Sequence, residues 1–377
     1  MKPGDILDLT IDSIASGGDG VGRFEGCTVF VPASAPGDRL RVQISETRSS
    51  YARAEISGIL EASSQRAETA FCPLLAQCGG CNLGHLDYGC QLAIKQGILE
   101  AALRRNQALP PQSVQLHASV PLGYRHRAQF RPGASGRPAY SVAGSNTLVE
   151  PSACPILATS LDGWLRSAVS ADLPGLDRFS VFSPGDAVYV EGRDGSFDFE
   201  FYGHRFRMDP SRFFQSNLGL LPELVELVCT GFSGKRAADL YCGVGLFASW
   251  LKDSFASLHC VELDSAAVRL AAHNVGPSAS YAACSLDDWV ALPVAAQPFD
   301  YVLVDPPRAG LSSGLRRWLA EKGPPILSYV SCDVQSLARD LGQLRSSYEV
   351  AEVHLFDFYP QTSHIESCAR LLRRVDS

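Results

Sequence analysis

Two residues late in the chain are of the types that covalent catalysis needs. Cys332 stands in Ser331-Cys332-Asp333, directly after the apolar run Pro325 to Val330, and Glu366 ends the segment Gln361 to Glu366. A thiolate is a strong nucleophile, and a carboxylate can accept a proton. Because both follow a glycine-rich turn typical of nucleotide binding, they indicate covalent catalysis on a ring that is first attacked and then loses a proton.

Alkylation of carbon 5 of uracil requires those two steps. Carbon 5 is a poor nucleophile, and a thiolate that adds to carbon 6 gives carbon 5 the enolate character with which it can take a methyl group. A general base must then remove the carbon 5 proton so that the thiol can be eliminated. Cys332 and Glu366 are the candidates for the two roles. The alternative is that Cys332 is an ordinary core cysteine and Glu366 an ordinary surface glutamate.

The glycine-rich turn lies in the segment Asp239 to Phe247, between a predicted strand and a predicted helix. Gly243 and Gly245 let the backbone turn sharply and approach a ligand closely. Glu262 ends the next predicted strand, where an acidic residue would hold a ribose diol. The third glycine of a dinucleotide fingerprint is missing, and the pattern therefore favours S-adenosylmethionine, which has no phosphate. A purely structural turn is the alternative.

Four cysteines could form a metal site. Cys72, Cys78 and Cys81 lie close together, with Gly79-Gly80 between the last two, and Cys154 follows at a distance. Four thiolates can close a tetrahedral site for structural zinc or hold a four-iron cluster, and spacing alone does not choose between them. Buried thiols without a ligand are the alternative. Cys90 falls within a helical pattern and is excluded.

Composition describes an ordinary globular protein. The chain has 377 residues, enough for two or three domains, with 46% hydrophobic and 19% charged residues. No stretch is long enough to span a membrane, and the start of the chain has no apolar signal core, so the cytoplasm is the expected compartment. The twelve cysteines are not expected to form a disulfide framework there.

The formal charge of −7 argues against nucleic acid as a partner, but the distribution of charge argues for it. No Asp or Glu occurs from Ala101 to Val149, a window that holds six arginines and interleaved aromatic rings: Arg104, Arg105, Tyr124, Arg125, His126, Arg127, Phe130, Arg131 and Arg137. Arginines contact phosphates and aromatic rings stack on bases. The window predicts an RNA-binding surface; a solvated face is the alternative.

The pattern of elements divides the chain into three parts. Residues 1–60 read as short strands with glycine turns, typical of a small barrel, in which Gly17 to Gly22 is predicted to be a bend. Residues 61–205 mix the cysteines with strands and a helix over Tyr88 to Arg105, and form a predicted α+β domain. Residues 206–377 alternate strand and helix, ending in a predicted strand from Tyr348 to Phe358, as in a Rossmann-like α/β fold with a mostly parallel sheet. Ligands of such sheets bind at the carboxyl ends of the strands.

These motifs, in this order, resemble those of the RNA uracil-C5 methyltransferases, specifically the branch that acts on 23S rRNA and carries an N-terminal TRAM domain and an iron–sulfur cluster. The resemblance rests on five segments: Phe213-Phe214-Gln215-Ser216-Asn217, Asp239 to Gly245, Asp305-Pro306-Pro307-Arg308-Ala309-Gly310, Ser331-Cys332-Asp333 and Pro360 to Glu366. The predicted barrel, with Gly20 to Arg23 and Val31-Pro32, is similar to TRAM, an OB-like barrel that binds RNA.

The resemblance implies a role for each matching residue. Cys332 would be the nucleophile and Glu366 the base, and the four cysteines would hold a [4Fe-4S] cluster in preference to zinc. The positions implied to contact the methyl donor are Gln215, Tyr241, Gly243, Gly245, Leu246, Glu262, Ser285 and Asp305. The chain departs from the family at Val334, where proline is usual, at Leu246, where a polar residue is more common, and at Ser285, where Asn or Asp is common.

The implied function is methylation of one 23S rRNA uridine, by a monomeric enzyme. The T-loop uridine of tRNA is an alternative target for the same chemistry. An inactive RNA-binding or ribosome-assembly factor is the alternative outside enzymes, although the intact Cys332 and Glu366 speak against it. A DNA cytosine-C5 methyltransferase would have a Pro-Cys nucleophile motif, and an N-methylating enzyme would have an aromatic residue in place of Arg308.

Overall fold

The computed structural model describes residues 1–374 and begins with a closed five-stranded barrel. Apolar side chains alternate along the first strand, and Leu7, Leu9 and Ile11 point into the barrel core. The strands follow the order β1-β2-β3-β5-β4 around the barrel. Their bounds are β1 Ile6–Ile14, β2 Gly20–Phe24, β3 Cys27–Val31, β4 Arg39–Thr47 and β5 Tyr51–Glu61.

The predicted bend over Gly17 to Gly22 is wrong in its second half, since Gly20 begins strand β2. A Cβ atom at Gly22 would lie 2.5 Å from the carbonyl oxygen of Thr10 on β1. Glycine is therefore needed here for the close approach of two strands, and a bare sequence does not distinguish that need from a turn.

The middle of the chain contains a long helix, a five-stranded sheet and a hairpin. The sheet order is β11-β10-β7-β8-β9, with helix α2 packed on it. The first element, helix α1, has the predicted bounds. The elements are α1 Tyr88–Arg105, β6 Gln115–His117, β7 Arg127–Pro132, β8 Pro138–Ser141, β9 Leu148–Val149, α2 Thr159–Ser167, β10 Phe179–Phe182, β11 Tyr189–Val190, β12 Phe197–Phe201 and β13 His204–Met208.

The last part of the chain is an eight-stranded sheet with the order β16-β15-β14-β17-β18-β20-β19-β6. Strands β14 to β18 are parallel and alternate with helices, which confirms the predicted α/β class beside an N-terminal barrel. The elements are α3 Leu221–Cys229, β14 Gly234–Leu240, α4 Ala248–Leu251, β15 Phe255–Glu262, α5 Ser265–Val275, β16 Ala279–Ala283, α6 Leu286–Trp289, β17 Tyr301–Val304, α7 Ser313–Lys322, β18 Ile326–Ser331, α8 Val334–Leu344, β19 Tyr348–Phe356 and β20 Glu366–Arg373.

Two features of this sheet differ from the sequence prediction. Strand β19 ends at Phe356 and is followed by β20, which inserts antiparallel between β18 and β19. Strand β6 also joins this sheet, parallel to β19, and α1 packs against α8. Leu99 and Leu103 of α1 lie in one hydrophobic core with residues of the sheet.

No helix among residues 1–374 is both long enough and apolar enough to cross a membrane.

Candidate active site

The register of two strands brings the candidate nucleophile next to the candidate base. Strand β18 ends at Ser331, which pairs with Ser367 of the antiparallel strand β20. The next residue along β18 is Cys332 and the preceding residue on β20 is Glu366, so the two occupy neighbouring positions at one edge of the sheet. The two residues are far apart in sequence, and only the antiparallel pairing brings them together.

The thiol of Cys332 lies in an electrostatic environment that favours its protonated form. Burial raises its pKa to about 12, and the negative charges of Glu366 and Asp305 act in the same direction. The guanidinium of Arg308 partly opposes them. In the absence of a bound cation the Cys332 side chain is therefore a thiol at neutral pH.

Alkylation of Cys332 by iodoacetamide is expected to be slow at neutral pH and to rise about tenfold per pH unit in alkaline buffer, because only the thiolate reacts. The rate can be followed by mass spectrometry of the peptide that contains Cys332. Cys27, a partly exposed thiol on barrel strand β3, is the internal reference. Fast labelling of Cys332 that does not change with pH would contradict the raised pKa.

The carboxyl group of Glu366 is buried, at 2% exposure. The plain reading of this residue as a surface glutamate is therefore wrong. Burial raises its pKa well above the ordinary value, and the nearby charge of Asp305 raises it further. A buried carboxyl beside a half-buried thiol is the arrangement that proton transfer at a reacting ring would use.

Three more carboxyl groups lie at or near the ends of parallel strands. Asp239 lies near the end of β14, Glu262 ends β15, and Asp305 follows β17. Burial raises the pKa of Asp305 to about 7, with a contribution from Glu262. It raises the pKa of Asp239 to about 8, with contributions from Asp305 and Glu262. A cation bound among these groups would stabilise their ionised forms.

The glycine turn between β14 and α4 has the open backbone that the sequence predicts. Tyr241, Gly243 and Gly245 all have positive φ, of 66°, 53° and 83°. A Cβ atom at Gly245 would lie 2.8 Å from Cγ2 of Val275, so a larger residue would push α5 away. The backbone N–H of Gly243 donates to Oε2 of Glu262 at 3.3 Å, which joins the turn to the end of the next strand.

Among the buried polar atoms that have no hydrogen-bond partner within residues 1–374, two belong to the motifs that the sequence assigns to the methyl donor. One is Oε1 of Gln215, whose side chain is 4% exposed, and the other is Oδ1 of Asp239. The second carboxyl oxygen of Asp239 accepts from the backbone N–H of Ala248 at 3.0 Å. Buried polar atoms are normally paired, so both indicate a missing ligand.

Leu246 and Ser285 have local roles in the fold. The side chain of Leu246 is 8% exposed and packs in the core of the sheet. Ser285 follows β16 and caps α6: its hydroxyl accepts from the backbone N–H of Asp288 at 3.1 Å and donates to that residue's carboxylate at 2.7 Å. For both residues, contact with a methyl donor stays a prediction.

The four predicted metal ligands are free thiols that lie near one another. Burial raises the pKa of Cys81 to about 12, with contributions from Cys154, Cys78 and Cys72. No group of three or more His, Cys, Asp or Glu in residues 1–374 is arranged to hold a metal ion, so the structure does not show the predicted metal site.

Part of the arginine window is buried and does not belong to the predicted RNA-binding surface. Phe130 lies in the core of the central sheet, and Tyr124 is buried with its hydroxyl donating to the carbonyl of Pro360 at 2.9 Å. Arg125 turns inward, and its charge favours the thiolate forms of Cys78, Cys81 and Cys154. Arg104 and Arg105 remain exposed at the end of α1.

Sequence reasoning missed one buried ion pair beside the site. Lys95 of α1 and Asp357, which follows β19, are both fully buried. One signal was available: Gln91, Lys95 and Leu99 recur every fourth residue on one helical face, which placed a lysine on the buried side.

Three family profiles and a solved structure resemble this chain. The TRAM domain profile matches residues 1–57, the Methyltransferase small domain profile matches residues 219–315, and the tRNA (Uracil-5-)-methyltransferase profile matches residues 291–375. The structure superposes on the tRNA (uracil-54, C5)-methyltransferase of Pyrococcus abyssi with a TM-score of 0.72 and 22% identity, covering 97% of this chain and 100% of that one. The fold thus defines a methyltransferase with an N-terminal TRAM barrel.

Two sequence relatives narrow the class. An uncharacterized RNA methyltransferase of Thermosynechococcus vestitus is 30% identical over 98% of both chains. The 23S rRNA (uracil(1939)-C(5))-methyltransferase RlmD of Pectobacterium atrosepticum is 29% identical over 98% of this chain and 94% of that protein. The chain belongs to the RNA uracil-C5 methyltransferase family and is an RNA methyltransferase.

Proposed function

We propose that this enzyme methylates carbon 5 of one uridine in 23S rRNA through a transient bond between the Cys332 sulfur and carbon 6. The observation that carries the proposal is the placement of Cys332 beside buried Glu366, with Asp305 close enough to raise the pKa of both. A nucleophile and a base on neighbouring strand ends can act on adjacent atoms of one ring. The uridine must leave its helix to reach them.

The chain's own residues account for the bonds that form and break. The Cys332 thiol releases its proton to water and adds to carbon 6 as a thiolate. The electron pair of the carbon 5–carbon 6 double bond then forms a bond to the donor methyl group, whose bond to the donor sulfur breaks with its electron pair left on that sulfur. Glu366 removes the proton from carbon 5, the double bond returns, and the sulfur leaves carbon 6 with its electron pair. Asp305 would orient the ring and the donor.

S-adenosylmethionine is the proposed methyl donor, and it supplies an electrophilic methyl group on a positively charged sulfur. The unpaired Oε1 of Gln215 and the carboxylate cluster at the strand ends fit such a cation. Glu262 would hold the ribose, and Tyr241, Gly243 and Gly245 would line the turn against which the donor lies. Two further donor contacts are proposed. Leu246 would contact the donor through its backbone, and Ser285 would do so after its hydroxyl leaves the N-terminus of α6.

The choice of 23S rRNA rests on the TRAM barrel and on the relatives named for that substrate. We assign RNA contact to the barrel (residues 1–60) and to the central part of the chain (residues 61–205), with catalysis in residues 206–377. The enzyme would act on ribosomal RNA in the cytoplasm, as a monomer.

Deletion of the gene is expected to remove one 5-methyluridine from 23S rRNA and to leave the tRNA T-loop unchanged. Mass-spectrometric mapping of both RNAs measures this, with the wild-type gene restored as the control. Loss from tRNA alone would move the target to the T-loop. Unchanged methylation of both would favour an inactive RNA-binding or assembly factor.

We also propose that Cys72, Cys78, Cys81 and Cys154 hold a [4Fe-4S] cluster. Support comes from the family's motif, from the mutual effects of the thiols on their pKa values, and from the positive charge of Arg125 beside them. Four thiolates and a neighbouring cation suit an anionic centre. Methyl transfer needs no electron, so the proposed role is structural.

Protein purified without oxygen is expected to be brown and to contain about four iron and four sulfide per chain. Cys81→Ser should lose most of both, because three thiols hold the cluster poorly. Cys90→Ser, a nearby thiol outside the proposed set, should keep them. Stoichiometric zinc in place of iron would contradict the proposal.

A further inference from the structure

The segment between strands β19 and β20, residues 357–365, leads directly into Glu366 and is called the base loop here. Phe356, the last residue of β19, pairs with Glu366, the first residue of β20. The path of the base loop therefore fixes where β20 begins and how the Glu366 side chain enters the site. Within the loop, Gln361 has a φ of 70°, a conformation that residues with a side chain seldom adopt. Contacts from residues outside the base loop must therefore stabilise Gln361 in this conformation.

The amide of Gln91 on helix α1 supplies two of those contacts. Its Nε2 donates to Oε1 of Gln361 at 2.9 Å, and its Oε1 accepts from the backbone N–H of Gln361 at 2.8 Å. Both side chains are buried. The paired amides thus hold the residue whose backbone is in the unusual conformation.

One turn further along the helix, Lys95 holds the start of the base loop. Its Nζ donates to Oδ1 of Asp357 at 2.6 Å and to the carbonyl of Tyr359 at 3.0 Å. Burial lowers the pKa of Lys95, and the charge of Asp357 opposes that effect. Either charge alone would be buried without a partner, so the pair ties helix and loop together.

Asn82 holds the far end of the base loop from an exposed position. Its Oδ1 accepts from the backbone N–H of Ser363 at 2.8 Å, and its Nδ2 donates to Oγ of Ser363 at 3.0 Å. The same Nδ2 donates to the carbonyl of Gly17 in the barrel at 2.7 Å. Asn82 therefore joins the barrel to the base loop.

We infer that Asn82, Gln91 and Lys95 are positioning residues for proton removal: they hold the base loop so that the Glu366 carboxylate reaches the carbon 5 proton. The inference rests on the proposed function, in which Glu366 is the base. It assigns to residues outside the catalytic strands a role in one chemical step, after the Cys332 adduct has formed.

The two halves of the reaction should respond differently to loosening of the loop. Addition of Cys332 and methylation of carbon 5 depend on β18 and the donor cleft, whereas resolution of the adduct depends on Glu366. A general base displaced by about 1 Å can slow its step about 10²-fold. Loss of a positioning contact should therefore slow release of the adduct more than its formation.

The test compares wild-type protein and Asn82→Ala on two versions of the substrate RNA, with uridine or 5-fluorouridine at the target. Fluorine at carbon 5 cannot leave as a proton, so the second RNA reports adduct formation alone, as a shifted band on a denaturing gel. Asn82→Ala is expected to trap 5-fluorouridine RNA at the wild-type rate. On uridine RNA its turnover should fall about 10-fold to 100-fold, with adduct accumulating.

Gln91→Leu, which removes the buried amide pair at similar volume, should give the same split. Gln343→Ala, at an exposed amide on α8, is the matched control and should behave as wild type. Equal loss on both RNAs, or unchanged turnover by Asn82→Ala and Gln91→Leu, would overturn the positioning role. Failure of the wild-type protein to trap 5-fluorouridine RNA would instead overturn the proposed function, and the positioning role with it.

Discussion

Cys332→Ala is expected to lower methyl transfer to uridine RNA by more than about 10⁴-fold, which corresponds to roughly 5 kcal/mol of barrier. Without the sulfur, nothing activates carbon 5, and the remaining groups cannot replace a bond to carbon 6. The measurement is incorporation of labelled methyl from S-adenosylmethionine into RNA in a single-turnover experiment. The variant should also form no covalent band with 5-fluorouridine RNA.

The alanine replacement should leave the fold intact, since Cys332 is only half-buried at the end of β18. Cys27→Ala, in the barrel, is the matched control and should keep full activity. Undiminished transfer by Cys332→Ala, with its circular dichroism spectrum and donor binding unchanged, would remove Cys332 from the reaction and leave the buried carboxyl groups without a nucleophile.

Glu366→Gln is expected to have the second-largest effect, a fall in turnover of about 10²-fold to 10⁴-fold. The amide keeps the shape of the side chain but cannot accept the carbon 5 proton. Because Cys332 is untouched, the variant should still add to carbon 6 and transfer the methyl group. A covalent protein–RNA band on natural uridine RNA, resistant to denaturation, is therefore the expected observation.

Glu349→Gln, at an exposed position on β19, is the control and should show neither effect. The adduct band of Glu366→Gln also shows whether Glu366 acts before or after the bond to carbon 6 forms. Slow turnover of Glu366→Gln without an adduct band would mean that Glu366 acts before the bond to carbon 6 forms, and the assignment of the base would fail.

Much of the site could be predicted because residue type and order are local properties of a sequence. Helix α1 begins and ends at the predicted residues, and Leu99 and Leu103 of its apolar pattern lie in the core. The carboxyl ends of parallel strands gather at one edge, so Glu262 and Asp305 were expected at a common cleft. The small barrel and the α/β class followed from the pattern of strands and helices, and the family resemblance implied that the barrel is a TRAM domain.

The errors have a common cause. Glu366–Arg373 was not recognised as a strand because its charged and small residues hide the apolar pattern, although its first residues are buried between β18 and β19. Phe130 was predicted to stack on bases, but it fills the core of the central sheet. Lys95 was not singled out in the sequence, whereas the structure buries it against Asp357. In each case a partner distant in sequence decides the role.

The sequence by itself determined which reactive groups are present: a thiol, a carboxylate and a glycine turn suited to one kind of ring chemistry. It could do so because side-chain chemistry and backbone freedom do not depend on the rest of the molecule. Only the tertiary structure decided that Cys332 and Glu366 meet, because an antiparallel strand enters a parallel sheet at that place. It also decided that a helix from another part of the chain holds the loop before Glu366, since hydrogen bonds and buried charges act only between atoms that folding brings into contact.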